Sequence, residues 1–214
     1  FTVAWRACGE YSKQRGYIVK EIILIGGGGH CRSVIDVIEL EGKFQIVGII
    51  DKPELLGADV LGYPVIGSDF DIENLAKKYS YALVTIGQIK SAEQRIKIFS
   101  LAIKAGFMLP IILSPRAYIS KHAIIGNGTV VMHDALINAN VLIGDNCIIN
   151  SKALIEHDSK VSDHCHISTN TTINGNVIIE SECFIGSGSV IRESSTIERN
   201  SFIKAGSLIK WAYL

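Results

Sequence analysis

The sequence predicts an α/β domain with a small, Rossmann-like parallel sheet over residues 19–112, followed by an all-β domain, a three-sided parallel β-helix, over residues 113–210. Three observations support this fold class. Apolar runs alternate with amphipathic segments in the first half, glycines follow the first run, and an aliphatic residue recurs at every sixth position in the second half. Strand–helix alternation is typical of parallel sheets, and a fixed internal period indicates stacked repeats.

The first domain is assigned element by element. The run "VKEIILIGGGG" predicts a buried parallel strand, and "HCRSVIDVIELEG" has the spacing of an amphipathic helix that ends at Gly42. The remaining predictions are "FQIVGIID" as the second strand, "DIENLAKKY" as a short helix, "YALVTIG" as the third strand, and "SAEQRIKIFSLAIKAG" as a helix closed by Gly106. The segment "LPIILSPRA" then leads into the second domain.

Glycine occupies every position from Gly26 to Gly29, between the first strand and the first helix. Without side chains, backbone N–H groups can approach a phosphate at the helix N-terminus. The spacing is not GxGxxG, and Asp51 lies near the dinucleotide distance without a full second unit behind it. Phosphate binding and a tight turn alone both remain open, and the short domain favours a nucleotide-sugar diphosphate over NAD.

The second domain is predicted from a period of six. Every sixth residue from Leu113 is a branched aliphatic, and a small residue stands four places later. The set is Leu113, Ile119, Ile125, Val131, Ile137, Ile143, Ile149, Ile155, Val161, Ile167, Ile173, Ile179, Ile185, Ile191, Ile197, Ile203 and Ile209. Each hexad forms one side of a triangle with its aliphatic residue inside, so three hexads close a coil of 18 residues. Coils stack about 4.8 Å apart.

The same period makes a prediction for three cysteines. Cys147, Cys165 and Cys183 recur at the coil length and should stack at one corner. We interpret them as small buried thiols that fill the corner, with a disulfide or metal ladder as the alternative.

Composition excludes several functional classes. The 21 basic and 21 acidic residues give a formal charge of zero, so the chain lacks the basic surface that nucleic acid or anionic membrane requires. No apolar run approaches the roughly 20 residues of a bilayer span. Residues 1–18 are set aside as an extension of uncertain origin. Five cysteines without a CxxC pair, and no apolar signal segment, predict a cytoplasmic location.

Both halves together resemble the sialic-acid/bacillosamine-type sugar O- and N-acetyltransferases, whose hexapeptide repeats form a left-handed β-helix, an exception to the right-handed crossover rule. The likeness covers about residues 19–209. The segments that carry it are "ILIGGGGH", "GIID", "LVTIG" and "INSKALIEHDSKVSDHCHIS". The resemblance implies an enzyme of bacterial surface-glycan biosynthesis that uses acetyl-CoA as cosubstrate and needs no metal.

The resemblance also implies roles for individual residues. His157 is the general base, and Asp158 stands where close relatives often have Glu. The residues implied at the acetyl-CoA site are His166, Gly175 and, as a weaker match, Gly206. Those implied at the acceptor site are Gly26, Gly29, His30, Asp51 and Gly87.

These residue types suit acetyl transfer. A histidine with a pKa near 6.5 can remove a proton at neutral pH. A carboxylate beside it can fix its tautomer and stabilise the imidazolium; Asp158 is favoured for this role, and Glu156 is its competitor. Backbone N–H groups around Gly175 can stabilise an oxyanion.

The position of His166 predicts an oligomer. It follows His157 by half a coil, so the two histidines lie on different sides of one prism and meet only if a neighbouring chain contributes its copy. We therefore expect a homotrimer with intersubunit active sites.

The favoured function is N-acetylation of a nucleotide-activated amino sugar, with a UDP-4-amino-4-deoxy sugar as the first candidate. O-acetylation of sialic or related nonulosonic acid is the alternative within this class. A zinc hydratase would require three converging histidines and typically an H-x₄-H pair, which the chain lacks. A non-catalytic sugar-nucleotide-binding scaffold is the third possibility. His122, His133 and His164 are predicted to be surface histidines.

Overall fold

The computed structural model describes residues 19–88 and 90–210. The first part contains five strands and three α-helices, in the chain order β1 Lys20–Ile25, α1 Gly29–Glu41, β2 Phe44–Ile50, β3 Asp59–Val60, β4 Tyr63–Gly67, α2 Ile72–Ala76, β5 Tyr81–Val84 and α3 Glu93–Ala105. Two short 3₁₀ turns, Pro53–Leu55 and Asp69–Asp71, join them.

The five strands form one sheet in the order β3-β4-β2-β1-β5, in which only β3 runs antiparallel to its neighbour. Successive β1 residues point to opposite faces, as the strand period of two requires. Leu24 therefore packs with Val34 and Val37 of α1 on one face, and Ile25 packs with Ile98 of α3 on the other. Since β1 is central, its carboxyl end opens between β2 and β5.

Seventeen two-residue strands, β6 to β22, follow within the described residues. They are Ile112–Leu113, Tyr118–Ile119, Ile124–Ile125, Val130–Val131, Leu136–Ile137, Leu142–Ile143, Ile148–Ile149, Leu154–Ile155, Lys160–Val161, His166–Ile167, Thr172–Ile173, Ile178–Ile179, Phe184–Ile185, Val190–Ile191, Thr196–Ile197, Phe202–Ile203 and Leu208–Ile209.

Three parallel sheets form the sides of a prism. We call them the first face (β7, β10, β13, β16, β19, β22), the second face (β8, β11, β14, β17, β20) and the third face (β6, β9, β12, β15, β18, β21). The second residue of each strand is the aliphatic hexad residue, and it packs into the core. Pairs such as Ile137 and Ile155 lie in register, which confirms the 18-residue coil.

The corners of the prism share one backbone conformation. In almost every hexad the third residue after the inward aliphatic has a positive φ, a region in which Asn and Asp are tolerated better than most side chains. The non-glycine residues in this position are Asp134, Asn140, Asn146, Lys152, Asp158, His164, Asn170, Asn176, Glu182, Ser194 and Asn200. The side chains of one corner therefore repeat every coil and stack in columns.

The cysteine column lies at the corner between the second and third faces. Cys147, Cys165 and Cys183 are buried free thiols. Their Sγ atoms donate to backbone carbonyls one coil further on, for example Cys165 to Glu180 O at 3.1 Å. The interpretation as buried thiols that fill the corner is confirmed.

The α/β part covers the third face of the prism, and this contact overturns two predictions about histidines. His133 is not a surface histidine, since its ring lies between Ser114 Oγ and Asp36 of α1, both at 2.7 Å. His164 is half-buried and packs edge-on against Phe99 of α3. The hexad pattern predicts on which side of the prism each histidine lies, but it does not predict that the α/β part packs against that side. His122 is exposed, as predicted.

Candidate active site

His157 lies at a corner between the first and second faces, immediately after β13. Its Nδ1–H donates to Asp158 Oδ2 at 2.8 Å, so Nε2 carries the free lone pair. The side chains of His157 and Asp158 are 61% and 50% exposed. The Asp158 carboxylate, mainly through this hydrogen bond, raises the pKa of His157 above 6.5. The corner therefore presents an oriented imidazole base to the solvent.

The two acidic neighbours of His157 have different contacts. Asp158 contacts the imidazole, and hydrogen bonds from Asn140 and His157 lower the pKa of its carboxyl group. Glu156 accepts a hydrogen bond from Asn138 Nδ2 at 2.6 Å and approaches His157 only at its backbone N–H, at 3.4 Å. Asp158 is therefore the carboxylate in contact with the ring.

Gly175 lies one coil beyond His157 at the same corner. A Cβ at this position would stand 2.9 Å from both Cε1 and Nε2 of His157. The ring thus packs directly over the glycine backbone. Among the described residues, no acceptor takes the Gly175 N–H, which leaves a backbone donor beside the imidazole.

A second feature is a cavity of about 790 Å³ between the α/β part and the third face of the prism. It opens at the carboxyl ends of β1, β2 and β5, where ligands bind in open parallel sheets. The lining includes all four glycines of the loop and, among others, His30, Asp51, Lys52, Gly87, Asn150 and His166. The predicted acceptor residues and His166 therefore share one cavity.

The four glycines of the loop are not equivalent. Gly26 has φ 106°, and a Cβ there would lie 2.6 Å from Ile86 Cγ1, so the fold itself requires this glycine. Asp51 Oδ2 accepts the Gly27 N–H at 2.7 Å and ties the loop to β2. Gly28 and Gly29 face open space, and no side chain caps the N-terminus of α1. Their backbone N–H groups are available to an anion.

His166 reaches the cavity from β15. Its Nδ1–H donates to the backbone carbonyl of Gln88 at 2.8 Å, which leaves Nε2 as an acceptor 3.4 Å from Asn150 Nδ2. Burial lowers the pKa of His166 to about 4. The ring is therefore neutral near pH 7, and its Nε2 lone pair faces Asn150 in the cavity lining.

His30 is the other histidine of the cavity. Its Nε2 is buried without a hydrogen-bond partner among the described residues, and burial lowers its pKa to about 3. A buried polar atom without a partner is costly. His30 Nε2 therefore lacks a hydrogen bond, and its residue lines the cavity.

Arg95 was not found by sequence reasoning. This arginine of α3 is 1% exposed and donates to the carbonyl oxygens of Asn146 and His164 and to Gln88 Oε1. It therefore holds α3 and the segment around Gln88 against the prism. A signal was available, since Arg95 shares a helical face with Ile98, Phe99 and Ala102.

The described residues place the predicted site residues in separate regions. His157, Asp158 and Gly175 meet at one corner, whereas His166 and the acceptor residues meet in the cavity, whose lining does not include His157. Gly206 lies at a different corner, between the third and first faces, with φ 70°. No group of three His, Cys, Asp or Glu side chains suited to a metal occurs among these residues. None of their helices is long and apolar enough to cross a bilayer.

Protein-family models match both parts of the chain. Residues 21–100 match the PglD N-terminal domain, and residues 116–157, 158–193 and 176–210 match the bacterial transferase hexapeptide (six repeats). The fold and these models define the class: a hexapeptide-repeat transferase with a PglD-type N-terminal domain. A comparison with curated proteins finds no match.

Solved structures narrow the class. A His-to-Asn mutant of perosamine N-acetyltransferase from Caulobacter crescentus, in complex with CoA and GDP-perosamine, is 30% identical, has a TM-score of 0.84, and matches over 90% of this chain and 89% of its own. The acetyltransferase domain of PglB from Neisseria gonorrhoeae is 31% identical, with a TM-score of 0.82 and coverage of 89% and 91%. Its complex with acetyl coenzyme A matches at 31%, with a TM-score of 0.81 and coverage of 89% and 92%.

The chain therefore belongs to the acetyl-CoA-dependent sugar acetyltransferases of the left-handed β-helix, hexapeptide-repeat family. The resemblance stated from the sequence motifs is confirmed.

Proposed function

We propose that the protein transfers the acetyl group of acetyl-CoA to the amino group of a nucleotide-activated 4-amino-4-deoxy sugar. The observation that carries this proposal is the His157 imidazole, hydrogen-bonded at Nδ1 to Asp158 and open at Nε2. The uncapped glycine terminus of α1 supports a diphosphate in the acceptor. UDP is the nucleotide expected from the sequence, and the relative crystallised with GDP-perosamine makes GDP the second candidate.

The chemistry follows from this corner. The sugar amine attacks the thioester carbonyl carbon, and His157 Nε2 removes the proton from the attacking nitrogen. The Gly175 N–H stabilises the tetrahedral oxyanion. Collapse of the intermediate breaks the carbon–sulfur bond, and the imidazolium returns the proton to the leaving CoA thiolate. Asp158 keeps the imidazole in the Nδ1–H tautomer and stabilises the imidazolium between the two transfers.

The separation of His157 from the cavity supports an intersubunit site. A homotrimer with cyclic symmetry would bring the exposed corner of one chain to the cavity of its neighbour. His166 and His30 would then bind the acceptor or the pantetheine from one chain, and His157 would supply the base from the next. Each site is incomplete without a second copy.

The base is tested with His157→Ala. Proton transfer by a positioned side chain contributes about 10²–10⁴-fold, so kcat/KM should fall by at least about 10²-fold while the circular dichroism spectrum is unchanged. His122→Ala is the matched control, because His122 is an exposed histidine at the same corner of the prism, about two coils before His157. Thiol release from acetyl-CoA would be followed with UDP- and GDP-linked 4-amino sugars and with free nonulosonic acids. A wild-type rate in His157→Ala would refute the proposal.

The shared site is tested by complementation. His157→Ala and His30→Ala chains are each expected to be nearly inactive alone. Coexpressed chains that assemble at random should regain roughly a quarter of the wild-type sites, because some sites pair an intact corner with an intact cavity. Sedimentation of the wild-type protein should give a trimer. An active monomer, or no recovery in mixed trimers, would contradict the intersubunit site.

A further inference from the structure

The carboxylate that orients the candidate base is held from two sides. Asp158 Oδ2 accepts from His157 Nδ1 at 2.8 Å, and Asp158 Oδ1 accepts from Asn140 Nδ2 at 2.7 Å. Asp158 is half exposed, so without the second bond its carboxylate would exchange between the imidazole and water. The Asn140 amide fixes the rotamer in which the carboxylate faces the ring.

The β-helix geometry produces this contact. Asn140 and Asp158 are 18 residues apart and occupy the same corner in consecutive coils, because Leu136 pairs with Leu154 in the adjoining strands. Both residues have a positive φ, 60° and 63°. Backbone conformations with similar φ one coil apart direct both side chains the same way, and the amide of one meets the carboxylate of the next.

A second asparagine at this corner holds the competing acid. Asn138 Nδ2 donates to Glu156 Oε2 at 2.6 Å. The two amides, two residues apart, therefore bind the two acids that flank His157, and only Asp158 is left in contact with the ring.

We infer that Asn140 is a positioning residue for the acetyl transfer and acts through Asp158 on His157. The inference rests on the proposed function, in which His157 is the base. Asn140 is not expected to touch either substrate. It holds the carboxylate in place against the ring, which supports the imidazolium formed when the base takes its proton.

The electrostatic surroundings of His157 make the inference testable by pH. Asp158 and Glu156 are the titratable groups whose charges raise the pKa of His157, and of these only Asp158 contacts the ring. The corners that pack above and below it, residues 138–140 and 174–176, contain only Asn, Ala and Gly. A change in the pKa of His157 in an Asn140 variant would therefore be transmitted through Asp158.

The test is Asn140→Gly, since glycine adopts a positive φ without steric cost and the corner should stay folded. We expect kcat to fall about tenfold, which corresponds to about 1.4 kcal/mol and lies near the lower bound for a hydrogen bond to a charged group. KM for both substrates should be unchanged. The acid limb of the kcat/KM profile should move to lower pH, because a less ordered carboxylate stabilises the imidazolium less.

Asn200→Gly is the matched control. Asn200 is an exposed corner asparagine with φ 58° at a different corner, so this change removes an amide at the same backbone cost without touching Asp158. It should leave kcat and the acid limb unchanged. Wild-type kcat and an unshifted limb in Asn140→Gly, with His157→Ala inactive, would overturn the positioning role alone. An active His157→Ala would instead refute the proposed function.

Discussion

Replacing Gly175 by alanine tests whether the position of the His157 ring controls the rate. The new Cβ would stand 2.9 Å from Cε1 and Nε2 of the imidazole. Non-bonded carbon atoms prefer about 3.5 Å or more, so the ring must retreat by roughly 0.6 Å. It can do so cheaply because it is 61% exposed. The free energy of unfolding should therefore change by less than about 0.5 kcal/mol.

The rate should be far more sensitive than the fold. A displacement near 1 Å in a catalytic geometry can cost about 10²-fold, so we expect Gly175→Ala to lower kcat by about 10- to 100-fold. Steady-state kinetics at saturating acetyl-CoA would measure kcat, and thermal unfolding would measure stability on the same preparation.

A double-mutant cycle identifies the cause of the loss. In a His157→Ala background the added methyl group has no ring to displace, so Gly175→Ala should cause no further loss of rate. An equal loss in both backgrounds would mean that Gly175 acts independently of the imidazole. A wild-type kcat in the single variant would refute the reasoning altogether.

The acid limb of the pH profile reports on the base. Because Asp158 raises the pKa of His157 above 6.5, the imidazole stays protonated and inactive to a higher pH than an ordinary histidine. Asp158→Ala should therefore shift the acid limb of the rate profile to lower pH and reduce the rate on its plateau. An unshifted acid limb would contradict the contact between Asp158 and the ring. Arg95→Met leaves buried carbonyl oxygens without a donor and should destabilise the protein by about 1–3 kcal/mol in urea unfolding. Arg116→Met breaks only an exposed ion pair and should cost about 0–1 kcal/mol. A loss for Arg95→Met no larger than that for Arg116→Met would contradict the buried role. In Gly28→Ala the new methyl group meets no protein atom, so the stability should be unchanged. The methyl group would stand in the cavity where the diphosphate is expected, so KM for the sugar nucleotide should rise. An unchanged KM would place the diphosphate elsewhere.

The β-helix could be predicted in detail because each short stretch of sequence determines its own part of the geometry. Each hexad specifies its own inward residue, and the stack of the three cysteines follows from the coil length alone. The turn residues were predictable in kind for the same reason, since a corner with positive φ favours residues such as Asn140 and Asp158.

The β3–β4 hairpin was not predicted. Its turn consists of Leu61 and Gly62, both with positive φ, and a leucine there gives none of the usual turn signal. Pro64 lies within β4, and proline argues against a strand unless it lies near a sheet edge. In the structure β4 is second from the edge of the sheet, a position that cannot be deduced from the local sequence.

The contacts between the two parts of the chain were also out of reach. Gln88 and His166 are 78 residues apart, and Arg95 and His164 are 69 apart. A periodic pattern gives the face on which each residue lies, whereas these contacts depend on which face the α/β part covers. The contact of Asn140, in contrast, is accessible from the sequence, because the 18-residue coil places it directly before Asp158 in the same column.

The dipeptide His-Asp occurs twice in the chain at equivalent hexad positions, as His133-Asp134 and as His157-Asp158. The hydrogen bonds of the two imidazoles show which histidine is structural and which can act as a base. At the first pair, His133 is hydrogen-bonded at both ring nitrogens, to Ser114 and Asp36, and Asp134 pairs with Arg116. At the second pair, only Nδ1 of the histidine is engaged and Nε2 is open. Proton transfer needs an unoccupied lone pair within reach of the substrate. The dipeptide alone is therefore insufficient for catalysis. The α/β part covers the third face of the prism and engages His133 through Asp36, whereas His157 lies at the corner between the other two faces and keeps Nε2 open.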